Sequence, residues 1–128
     1  TTFLVLANAF EDTGVRAYKG QAANLMGSGA VLTAALDIHS VAARHASEIR
    51  RIRGLKGWIT GKTSTGVPDS VYAAGNPAAD YPAEDNTTEG GVDVSTITSV
   101  SASAVSEAFD EPLDMASVLA IATPFLKM

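Results

Sequence analysis

A chain of 128 residues can bury one modest hydrophobic core and is too short for two. At 46% hydrophobic and 18% charged it falls outside the disordered class, and a net charge of -5 without a long basic run argues against nucleic acid as the main partner. The lack of cysteine removes disulfide and thiolate chemistry, and no uncharged apolar run approaches the ~18 residues of a transmembrane segment.

Residues 2–26 predict a first helix, capped by Thr1 or Thr2. Leu4, Ala7, Glu11, Gly14, Tyr18, Ala22 and Leu25 share one face at helical spacing, with Glu11 in its middle. An unpaired carboxylate there is expensive, so a partner is expected. Gly14 lowers helix propensity by about 1 kcal/mol against Ala, which suggests that it is kept for close packing.

GSG at 27–29 reads as a turn, and a second helix runs to about Arg53. On a wheel centred at Ala42, the residues Ala35, Ile38, Ala46, Ile49 and the stem of Arg53 form a narrow stripe of mostly small side chains. His39 and His45 lie on its shoulders. Gly54 follows as a stop, and Arg50, Arg51 and Arg53 suit the negative end of the helix dipole. The short link makes the two helices an antiparallel hairpin.

From Leu55 the pattern breaks. Residues 63–91 are rich in Gly, Pro, Ser, Thr, Asp and Asn, and read as an ordered wrap over the helices or an exposed arm. Residues 92–102 alternate weakly as a short strand, and 101–108 can instead be helical. EAFDEP at 107–112 reads as an acidic turn. Asp114 then caps a last short helix at about 114–122, whose Val118, Leu119 and Ile121 are expected to dock on a core. The expected fold is all-α: a helical hairpin over 1–54, half of a four-helix bundle, with an irregular extension over 55–128. A partner chain, or further sequence before Thr1, is expected to supply the other two helices.

Glu11 and His45 are the candidate metal ligands, because a carboxylate and an imidazole facing each other across two helices can hold a transition metal or share a proton. Tyr18, His39 and Glu48 are supporting polar groups, and Ala7, Gly14, Ala42 and Ala46 are expected packing positions. A four-helix di-metal centre takes a Glu three residues before its histidine, and Ala42 stands there. A structural, hydrogen-bonded role for both groups is the plainer reading. Trp58, Tyr72 and Tyr81 offer a docking surface, or anchors holding the wrap to its own domain. No P-loop, dinucleotide-binding glycine pattern or HExxH is present.

NAFEDTGVRAYKGQA followed by LDIHSVAARHASEIRRIRG resembles the second half of the ferritin-like domain of desiccation-related proteins and their bacterial relatives. AFDEPLDMASVLAIATPFL resembles the end of the bacterial members. The resemblance implies that the two helices are the third and fourth of that domain, that Glu11 is the carboxylate of the third, and that His45 is the histidine of the fourth. It also implies export and a link with stress. The leading expectation is a non-catalytic ferritin-like module that forms homo-oligomers and holds no cofactor. The alternatives are an iron or manganese protein using Glu11 and His45 with ligands from other helices, and a cell-envelope interaction module.

Overall fold

A computed structural model describes residues 2–126. The Thr1 cap lies outside the described residues. Helix α1 spans Thr2–Gln21 and continues as a single tighter 3-10 turn at Ala22–Leu25. Helix α2 spans Gly29–Ile52 and packs antiparallel against it. Gly54 stops α2 at φ 77°, donating to the Arg51 carbonyl while Leu55 donates to that of Arg50. This left-handed close returns two otherwise orphaned carbonyls to the bonding pattern.

The fold is all-α, a hairpin followed by a long irregular region and a short terminal helix. Two-residue strands β1 (Thr88–Glu89) and β2 (Val92–Asp93) form an antiparallel ribbon joined by Gly90 and Gly91. The weakly alternating 92–102 stretch forms no longer strand, because its second half turns through Val94–Thr96 into α3 (Ala102–Ser106). Helix α4 spans Met115–Ala122, and the Asp114 carboxylate accepts from Ser117 N at 3.0 Å as its cap.

The core is not where the apolar stripes alone place it. Ala9 of α1 meets Ile59, Val67, Val71 and Tyr72 of the irregular region, with Val5 and Ile121 at the margin. Residues 55–85 are therefore a wrap with a core of its own against one side of α1. The buried residues of α1 are Asn8, Ala9, Asp12, Thr13, Val15 and Arg16. The expected face of Leu4, Ala7, Glu11, Gly14, Tyr18, Ala22 and Leu25 is only half-buried. The helix is rotated about one residue from the apolar reading, because the wrap draws its polar stripe inward. On α2 the residues Ala35, Ala42, Ala46 and Arg50 are buried, and Ile38 is not. In α4, Ile121 packs on the core while Leu119 faces outward.

Two glycines of α1 exchange roles relative to expectation. A Cβ at Gly14 would meet nothing within 4 Å, so close packing does not explain that glycine. A Cβ at Gly20 would overlap the Leu113 carbonyl oxygen. Gly20 is what lets the chain before α4 lie against the helix, where Leu113 N donates to the Arg16 carbonyl at 3.0 Å. Gly14→Ala is expected to raise stability by about 0.5–1 kcal/mol through helix propensity. Gly20→Ala is expected to lower it by about 1–3 kcal/mol through the clash. Urea denaturation of both variants checks the opposite signs.

Candidate functional site

The Glu11 and His45 side chains do meet. Oε1 of Glu11 lies 3.1 Å from Nδ1 of His45, with side-chain exposures of 30% and 58%. The pair sits on the outer edge of the α1–α2 seam, so it is a half-wet pair and not a sheltered one. Its supporting groups do not converge on it. Glu48 turns to Arg51 at 3.9 Å, and both are largely exposed. Tyr18 is half-buried, and His39 has a buried Nε2 without a hydrogen-bond partner among the described residues. Ala42 and Ala46 are buried in the seam, while Ala7 is half-buried. Two donors already bonded to each other, on a solvent edge, do not by themselves fit a closed metal centre. Among the described residues no group of three or more His, Asp or Glu side chains is placed to hold a metal ion.

The strongest side-chain chemistry lies on the other side of α1. Asn8, Asp12 and Arg16 recur every fourth residue and point into the wrap. Asp12 accepts from Asn8 Nδ2 and from the Tyr72 hydroxyl, each at 2.7 Å, and from Arg50 Nη2. Arg53 extends the chain of bonds by donating to Asn8 Oδ1 and the Thr65 carbonyl. Burial raises the Asp12 pKa against the pull of Arg50, and burial beside Asp12 holds the Tyr72 phenol above its usual range. Tyr72 is thus wholly buried and bonded, which removes it from the expected docking surface. Tyr81 is half-buried, its carbonyl accepting from Gly75 N. Trp58 alone of the three is well exposed.

One turn along, Arg16 is fully buried. Its Nε donates to the Glu111 carbonyl, Nη1 to Val71 and Ala73, and Nη2 to Pro82 and Pro112. All five donors of the guanidinium are used on backbone carbonyls. Glu84 Oε1 lies 2.9 Å from Nε, and both Glu84 oxygens accept from Glu111 N. Burial pushes the Glu84 carboxyl up to about 8, outweighing Arg16. Arg16 gathers two stretches of the wrap and the segment before α4 onto one point of α1. Counting apolar residues misses this site. The signal that finds it is the period-four run Asn8, Asp12, Arg16, with Arg50 and Arg53 one turn apart on the partner helix.

Compared with known proteins, residues 1–55 match a family model described as a ferritin-like domain. No curated protein and no solved structure matches the chain. The match corrects the resemblance to desiccation-related proteins: it covers the N-terminal portion of this chain, ends just past α2, and does not extend to the tail over 108–126. The hairpin carries the likeness, and the wrap that Arg16 anchors lies outside it.

Proposed function

We propose that the chain is a non-catalytic, ferritin-like structural module that pairs with a second copy through the bare face of α2. The observation that carries this reading is a heptad stripe. Val31, Ala34, Ile38, Val41, His45, Glu48 and Ile52 follow alternating three- and four-residue steps, and every one of them is exposed. Ile38 is 48% exposed and Val41 38%. Such spacing is that of a seam between packed helices, and polar residues at a few of its positions fix register. The wrap covers the opposite side of the hairpin, so this is the side left for association. Two hairpins related by a two-fold axis make a four-helix bundle, and the ferritin-like match over residues 1–55 agrees with a hairpin that packs on further helices.

Light scattering at several concentrations is expected to give a dimer or a larger even assembly. Ile38→Asp is expected to give a monomer of unchanged helix content, because it places a charge in the seam. A well-folded wild-type monomer at micromolar concentration overturns the pairing. Iron or manganese near stoichiometry by elemental analysis, lost in Glu11→Ala, overturns the non-catalytic reading instead.

A further inference from the structure

A cavity of about 370 Å³ opens where α2 ends, between its last turn and residues 54–65. This lies within the range of small-molecule sites, about 300–1,000 Å³. Its inner wall is made of Arg50, Ile59 and Tyr72, all buried, and its mouth of Lys56 and Trp58. Four hydroxyl side chains between Thr60 and Thr65 line the remaining wall.

Three features of this cavity point to one ligand chemistry. First, its charged lining is entirely cationic. No Asp or Glu lines it among the described residues, although the chain as a whole carries -5. Asp12 balances Arg50 from the side of α1, and Glu107 balances Lys56 at the mouth, bonded to it at 2.8 Å and to Trp58 Nε1 at 3.0 Å, which leaves Arg50 as the cation of the inner wall. Second, Arg50 is only partly engaged. Among the described residues it donates to Asp12 and, at a long 3.4 Å, to the Gly57 carbonyl. A guanidinium has five donors, so others remain to meet an oxyanion. The nearby carbonyls of Ile49, Arg50 and Arg51 already accept from the chain that follows α2. Third, the Trp58 indole is held by its edge. Its Nε1 donates to Glu107 Oε2 at 3.0 Å, while 52% of the residue stays exposed. The Lys56 ammonium lies 6.0 Å over one face of the ring, so a flat ligand would stack on the other.

We propose that this cavity binds a small organic carboxylate carrying a flat ring, with the carboxylate on Arg50 and the hydroxyl wall and the ring against Trp58. The site lies on the wrap side of the hairpin and does not depend on the pairing of α2. Trp58 is the only tryptophan, so its fluorescence reports directly on the site. Titration with sodium benzoate is expected to give a saturable change with a Kd of about 1 mM or below. Benzamide, which keeps the ring without the charge, and inorganic phosphate, which keeps the charge without the ring, are each expected to bind at least about tenfold more weakly. Trp58→Leu, followed by calorimetry, is expected to weaken benzoate by about tenfold without touching the Asp12–Arg50 pair. Arg50→Lys, checked for native circular dichroism, is expected to weaken it at least as much. Absence of saturation with benzoate, equal binding of benzamide or phosphate, or undiminished binding by Trp58→Leu overturns the proposal.

Discussion

Arg16→Met is expected to destabilise the protein by about 3–5 kcal/mol, the range for removing one partner of a buried charged network. That is a large share of the roughly 5–15 kcal/mol that holds an ordinary domain together. Methionine fills much of the space but returns no donor. The carbonyls of Val71, Ala73, Pro82, Glu111 and Pro112 would lose their acceptor bonds together, and Glu84 would lose its contact with Nε. Lysine is no substitute, since three donors cannot serve five carbonyls. Because these contacts all come from the chain after the hairpin, the loss is expected to free residues 55–126 before it melts the hairpin. Trypsin at the exposed Lys62 is then expected to cut the variant faster than wild type, while much helical circular dichroism remains. Arg51→Met is the control. Arg51 is 70% exposed and, among the described residues, pairs only with Glu48 at 3.9 Å, so a change within about 0.5 kcal/mol is expected. A urea midpoint for Arg16→Met close to that of Arg51→Met would remove Arg16 from its place as the anchor.

The same residue shows which parts of the fold are legible in the chain. The hairpin is readable because helix length, the GSG turn and Gly54 are local signals. The Glu11–His45 contact is readable because both groups stand at matching heights on two antiparallel helices. The face buried on α1 is not readable from apolar spacing, because its burial is decided by groups far along the chain. Val71 lies 55 residues from Arg16, and Pro112 lies 96 away. A wheel ranks Asn8, Asp12 and Arg16 as a solvated stripe, and only the arrival of carbonyls from the wrap turns that stripe inward. The irregular stretch that supplies them has no periodicity by which its route can be traced. Tyr72 is misplaced for the same reason: its hydroxyl partner, Asp12, sits 60 residues earlier.

Stability is expected to peak near pH 4–5 and to fall toward pH 8, the reverse of a chain held by carboxylate ion pairs alone. Glu84 decides the alkaline side. Its carboxyl titrates near 8 in the folded chain against an ordinary 4.5. Below 4.5 both folded and unfolded chains carry the proton. Between 4.5 and about 8 the unfolded chain has lost it and the folded chain keeps it, so each rise in pH favours unfolding. Above that value no further loss follows from this group. Asp12 and Glu111, also raised by burial, act in the same direction. The acid side has the opposite sign. The Asp114 carboxylate is held down to about 2 by its bonds to Ser117 and Asn76, and its contribution fades as pH falls from 3.8 through that value. Arg16 tolerates a protonated Glu84 because its five donors are already spent on carbonyls. Urea midpoints measured from pH 3 to 9 are expected to trace this asymmetric dome, with a loss on the order of a few kcal/mol between pH 5 and 8. Glu84→Gln, which mimics the protonated form in shape, is expected to flatten most of the alkaline limb. A midpoint that climbs steadily from pH 4 to 8, or an equal slope in Glu84→Gln, places the buried charge on this carboxylate after all and makes the Arg16–Glu84 contact an ordinary ion pair.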